Sequence, residues 1–190
     1  MKNFKIALDK TLVYEGGYVN DEDDAGGETY KGISRRYNPN WLGWSIIEKA
    51  KIDTPEEFPI NLDDNIKLQK SLSDLYKQLY WDRFWGDSIP SQEISEKLFD
   101  ISVNLGVKRA VIYLQEGLNL LNRNQKNYND IGMDGVFGKN TLKVLINYLD
   151  SDKPDSLLKI ISILQGMHYI DYMRRSPKQE KYARGWLKRV

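Results

Sequence analysis

The 190-residue chain contains no cysteine and a single histidine, His168. The first absence excludes disulfides, thiol catalysis and cysteine-ligated zinc. The second excludes multi-histidine metal centres and argues against a Ser-His-Asp triad. His168 lies in the apolar stretch ILQGMHYIDYM, where packing or a hydrogen bond suits it better than catalysis. Charge of one sign is missing too. With 28 basic and 27 acidic residues the net charge is +1, so no bulk field favours nucleic acid or an anionic membrane. No run approaches the ~20 apolar residues of a membrane span, and stable membrane insertion is not expected. Lys5, Asp9 and Lys10 interrupt the N-terminus, so it holds no signal-peptide core. With thiols gone and imidazole nearly so, carboxylates remain as the main reactive groups.

What is present is a folding sequence, 41% hydrophobic and 12% aromatic, long enough for one compact domain or two joined halves. Phe4, Leu8, Leu12 and Val13 give residues 3–15 helical spacing, and Gly16-Gly17 should end that helix. Residues 16–33 read as an irregular loop with room for a small hairpin. A short helix fits within 34–50, and Thr54, Pro55 and Pro59 mark turns. A long amphipathic helix is expected over 65–84, through Leu68, Leu72, Leu75, Leu79 and Tyr80. Pro90 closes a first half, 1–90. The second half, 91–190, is expected to hold helices over 91–106, 108–121, 138–149 and 155–173, then a basic tail in which Trp186 and Leu187 can dock. Strand signals are few. The fold class is mainly α, with about seven helices.

One stretch invites a chemical reading: YEGGYVNDEDDAGGETYKGIS, Tyr14 to Ser34. Glu15 follows Leu12 by three residues, Leu8 by seven and Phe4 by eleven, about three helical turns. It therefore points along the apolar stripe and not towards water. Burial there and the negative end of the helix dipole both favour the protonated carboxyl, the form a general acid needs. A structural alternative is that Glu15 pairs with a buried arginine or caps a neighbouring helix. Gly16-Gly17 leaves bare backbone beside it, open to a bulky ligand. Asp24 and Thr29 follow nine and fourteen residues later, and a loop between glycine pairs can fold both back across the helix end. Two carboxyls so placed are the constellation of glycoside hydrolysis. An EF-hand starting at Asp21 fails, because Ala25 stands at its fifth position and Gly32 at its twelfth. Glu22 and Asp23 read as solvated turn residues.

These residues resemble glycoside hydrolase family 108, lysozyme-like N-acetylmuramidases common in phages and prophages. The similarity lies in EGGYVND and DAGGETYKGI, continues through LYWDRFWGD (79–87) and FDISVNLGVKRAVIYLQ (99–115), and ends in RGWLKRV. MDGVFGKNTL (133–142) is similar to the turn of peptidoglycan-binding modules. The spacing of Glu15, Asp24 and Thr29 resembles the Glu–Asp–Thr arrangement of phage-type lysozymes, with the threonine gap one residue shorter.

The resemblance implies a lysozyme-like helical fold with a small active-site loop. It places the catalytic half at 1–90 and a peptidoglycan-binding-like half at 91–190. The implied substrate is the peptidoglycan glycan strand, cut at the β-1,4 bond from N-acetylmuramic acid to N-acetylglucosamine. Glu15 would protonate the leaving oxygen, Asp24 would stabilise the sugar cation or orient water, and Thr29 would help hold that water. Tyr18, Tyr30 and Trp81 would offer rings to sugar, and Asn20, Asn104 and Gln115 amides. Trp81 and Trp85, four apart, suit a core equally well, and Asn104 suits a helix end. No metal or organic cofactor is expected. A monomer is expected, made in the cytoplasm and reaching the wall through a holin, as phage endolysins do. Two alternatives stay open: a lytic transglycosylase using the same Glu15, and a non-catalytic wall-binding or secretion-accessory protein.

Overall fold

The three- and four-residue apolar spacing that runs through most of the chain folds as eight α-helices among the described residues, with one small sheet. The structure is a computed structural model and describes residues 4–20 and 27–190. The chain divides into two compact units. One is Leu8–Leu79; the other is Tyr80–Val190 together with the start of the first helix, up to Ala7.

In the first unit, helix α1 (Phe4–Leu12) gives way to a turn in which the Tyr14 and Glu15 amides donate to Thr11 and Leu12. Strands β1 (Tyr18–Val19), β2 (Thr29–Tyr30) and β3 (Ile33–Ser34) form an antiparallel sheet in that order. Tyr30 pairs with Ile33, so Lys31 and Gly32 are a two-residue hairpin turn. Both have positive φ, +43° and +78°, as a type I′ turn demands. Helix α2 (Gly43–Asp53) packs on α3 (Ile66–Tyr76). Asn65 caps α3, its side chain accepting from the Leu68 amide at 3.0 Å. The core holds Tyr30, Ile33, Trp41, Trp44, Ile47, Leu62, Leu68, Leu72 and Tyr76. Each buried indole finds a partner: Trp41 Nε1 donates to Ser71 O at 3.2 Å and Trp44 Nε1 to Asn38 O at 2.7 Å.

The helix expected over 65–84 is broken into three pieces. The α-helix ends at Tyr76, a π-helical turn covers Lys77–Trp81 and a 3₁₀ turn covers Asp82–Phe84. The wider turn adds a residue to the spacing. Buried positions therefore run Leu68, Leu72, Tyr76 and then Trp81, five residues on, while Leu79 is left 38% exposed.

In the second unit, α4 (Gln92–Leu105) starts at Ser91, whose hydroxyl accepts from the Ile94 amide. Gly106 alone, at φ +89°, joins α4 to α5 (Val107–Leu120), and the two pack on each other. Helix α6 (Lys139–Ser151) packs on α5, and α7 (Pro154–Arg175) packs on α4 and α5. The tail forms a 3₁₀ segment (Pro177–Tyr182) and α8 (Ala183–Leu187), which packs on α7. Trp186 docks as expected, stacked on Tyr169 at 5.3 Å, whereas Leu187 is 55% exposed. Among the described residues, no helix is long and apolar enough to cross a membrane.

Candidate active site

Because α1 stops at Leu12, Glu15 stands one turn beyond the helix and not in its last turn. Its side chain is nonetheless half-buried, whereas Val13, expected on the same apolar stripe, is 79% exposed. The carboxylate lies over Gly32. A Cβ there would come within 2.8 Å of Glu15 Oε2 and 2.8 Å of the Tyr76 hydroxyl. Glycine is thus required twice at position 32, by its positive φ and by the two oxygens above it.

The turn under Glu15 is held from both sides. The Lys31 amide donates to Gly17 O at 3.1 Å, and the Tyr76 hydroxyl donates to Lys31 O at 2.7 Å. Lys31 Nζ reaches Asp63 at 2.7 Å. Gly16 and Gly17 do not adopt the left-handed cap conformation, and a Cβ on either meets nothing within 4 Å. They leave open backbone beside the carboxylate.

A second carboxylate organises the sheet. The Glu28 side chain is only 10% exposed and accepts from Tyr18 Oη at 2.8 Å, from Lys51 Nζ at 2.7 Å and from the Arg35 guanidinium. Burial alone would raise its pKa, but the bonds from Lys51, Arg35 and Tyr18 outweigh it and hold the carboxyl below its usual range. Glu28 is therefore an ionised structural anchor linking β1, β2 and α2. Nothing in the acidic run marked it, since its partners lie 7 and 23 residues onward in sequence.

The expected site residues fare differently. Thr29 is half-buried in β2, its hydroxyl donating to Gly27 O at 3.1 Å. Tyr18 is half-buried, edge-on to Phe58 at 4.8 Å, with Lys51 Nζ 5.3 Å from its ring centre. Asn20 is exposed just after β1. Asp24 lies outside the described residues. Three expectations are corrected. Tyr30 is 1% exposed, stacked on Trp41, and its hydroxyl accepts from Gln69 Nε2 at 2.8 Å. Burial pushes that hydroxyl up to about 12, so Tyr30 is a core residue and not a sugar platform. Trp81 is fully buried and donates from Nε1 to Asp87 at 2.9 Å. Gln115 is 1% exposed and organises the turn before α6. Its Nε2 donates to Asp134 at 2.8 Å, and its Oε1 accepts from the Gly135 amide at 3.0 Å. No ring or amide so enclosed can meet a polymer. Asn104 is half-buried in α4, its Oδ1 accepting from the Tyr169 hydroxyl at 2.7 Å. Among the described residues, no group of three or more His, Asp and Glu could hold a metal ion.

A mainly helical, lysozyme-like fold with an acid beside a glycine hairpin defines the class of protein. The chain belongs to the family described as glycosyl hydrolase 108, which matches residues 8–106. Residues 109–190 match a second family, described as a predicted peptidoglycan domain. The chain is also similar to the solved structure of SagA from Brucella abortus, with a TM-score of 0.59 and 22% identity over 98% of this chain and 88% of that one. That likeness speaks for the fold. No curated protein matches the chain. The protein is a glycoside hydrolase acting on peptidoglycan.

Proposed function

We propose that the enzyme is an N-acetylmuramidase cutting the β-1,4 bond between N-acetylmuramic acid and N-acetylglucosamine, with Glu15 as general acid. The observation that supports this most is the placement of Glu15: half-buried, seated over Gly32 beside the Tyr76 hydroxyl, next to the open backbone of Gly16 and Gly17. A glycosidic oxygen can approach such a carboxyl without meeting a side chain on the glycine flank. Protonation of that oxygen lets the bond break as positive charge develops on the sugar carbon. In this reading Asp24 orients the attacking water or stabilises that charge, and Thr29 helps hold the water. Attack by water on the opposite face inverts the anomeric carbon. Tyr18 and Asn20 flank the strand, and Asn104 contributes an amide elsewhere on the substrate. Residues 1–90 carry the chemistry and 91–190 the wall contact. The enzyme works as a monomer and reaches the wall by holin-type release.

Zymography on purified peptidoglycan, wild type beside Glu15→Gln, tests the assignment. Loss of lysis by about a hundredfold or more is expected, with wall binding retained, since general acid catalysis supplies roughly 10²–10⁴. Undiminished lysis would remove Glu15 from the mechanism. Product masses add a second test. Hydrolysis leaves reducing sugars, whereas a transglycosylase leaves anhydro sugars lighter by one water.

A further inference from the structure

The second unit contains a pocket of about 620 Å³ where the end of α4, the start of α5, the last turns of α7 and α8 converge. It lies far from Glu15 in sequence. Its wall is aromatic. Trp186 stacks on Tyr169 at 5.3 Å and tilts against Tyr172 at 5.8 Å, and His168 stacks on Tyr172 at 6.4 Å. Its charge comes from Arg109 and Arg175, 66 residues apart in sequence. The Arg109 guanidinium donates to Leu105 O at 3.3 Å, and Arg175 Nε donates to Asp171 O at 3.1 Å. Among the described residues neither has a carboxylate partner. Arg174, Arg123 and Arg189 each do, with Asp171, Asp152 and Asp100.

His168 adds no charge of its own. Burial first, then the fields of Arg109 and Arg175, hold its pKa below the usual value, against a smaller opposing effect of Asp171. Asn104 is pinned through Oδ1 to the Tyr169 hydroxyl, which leaves its amide N–H as a donor. The pocket therefore combines two guanidinium groups lacking carboxylates, a neutral imidazole, an amide donor and flat apolar faces. Guanidinium forks match carboxylates in geometry and charge.

We propose that this pocket binds the carboxylate-bearing stem peptide of peptidoglycan. This rests on the reading of the chain as a peptidoglycan enzyme. Within that polymer the stem peptide carries free carboxylates along its backbone and side chains, whereas N-acetylglucosamine is uncharged. The two arginines would take carboxylates, and the aromatic wall would cover the peptide's aliphatic parts.

The test uses the full chain carrying Glu15→Gln, so that no wall is consumed, and calorimetric titration with a free tetrapeptide of stem sequence. Saturable binding is expected. Arg109→Ala and Arg175→Ala together should weaken it about tenfold or more, through the loss of charge-assisted bonds. Arg109→Lys with Arg175→Lys should weaken it less, which separates lost charge from lost fold. Amidation of the peptide carboxylates should reproduce the double-alanine loss. Undiminished binding by the double-alanine variant overturns the proposal. So does equal affinity for peptide-free glycan strands, whose carboxylates are the lactyl groups of muramic acid. If the wild-type chain lyses wall but the tetrapeptide does not bind, the pocket assignment falls and the muramidase reading stands. If the tetrapeptide binds but no wall is lysed, the reverse holds.

Discussion

A methyl group on Gly32 would press on the Glu15 carboxylate and the Tyr76 hydroxyl at 2.8 Å each, in a backbone conformation that already disfavours a Cβ. Gly32→Ala must therefore strain the hairpin and push Glu15 away. A loss of about 1–2 kcal/mol in stability is expected, from positive-φ strain and overpacking. Wall lysis should fall more than stability explains, because the acid moves. Gly16→Ala meets nothing and has an ordinary φ, so it should change stability by only about 0.5 kcal/mol. Thermal melts and turbidity assays on the two variants, side by side, check the contrast. Equal effects would mean that the contact above Gly32 has no bearing on the acid.

At the scale of elements, single polar side chains hold turns that have no regular structure of their own. Gln115, on α5, donates to Asp134, Val136 O and Thr141 and accepts from the Gly135 amide, and so shapes the turn that leads into α6. Gln115→Ala would empty the space of a buried amide and remove the partner of the buried Thr141 hydroxyl and of the Gly135 amide. A loss of about 2–3 kcal/mol is expected, read by denaturant unfolding. A much smaller loss would show that water replaces the amide. The helices were legible in the sequence because their apolar spacing is local, while the caps at Asn65 and Ser91 came to light in the fold. The role of Gln115 was not, because its partners lie 19 to 26 residues away and are brought to it by packing. The π-helical turn was hidden for a similar reason. Leu79 and Tyr80 extend the helical stripe as well as Trp81 does, and only enclosure of the larger indole selects the five-residue step.

For the molecule as a whole, acid stability should depend on Glu28. Its carboxyl is held below the ordinary range in the folded state. The unfolded chain therefore takes up its proton first as pH falls. The stabilisation is fully present above the ordinary carboxyl value of about 4.5, and it is lost below it as pH drops through the folded value. Glu28→Gln should remove part of this dependence and cost roughly 2 kcal/mol at neutral pH, because it leaves Lys51 and Arg35 with Glu48 as their one remaining shared carboxylate. Melting temperatures from pH 7 down to pH 3, wild type against variant, test it. Parallel curves would show that Glu28 carries none of the acid sensitivity.

Sequence alone determined what depends on neighbours along the chain. The mainly helical class, most helix positions and the small hairpin follow from apolar phase and glycine position, which act within a few turns. The family likeness was readable for the same reason, since EGGY and GGET are contiguous. Tertiary structure alone decided which polar and aromatic groups remain available to a ligand. Tyr30, Trp81 and Gln115 have the right chemistry for sugar but are enclosed, because packing ranks aromatic area and satisfied amides above exposure. Arg109 and Arg175 look like ordinary surface charges in the sequence, and only the packing of α5 and α7 sets them at one pocket. The glycines of the opening loop divide along the same line. Gly16 and Gly17 are open by composition, while Gly32 matters because the fold places a carboxylate and a phenol over it.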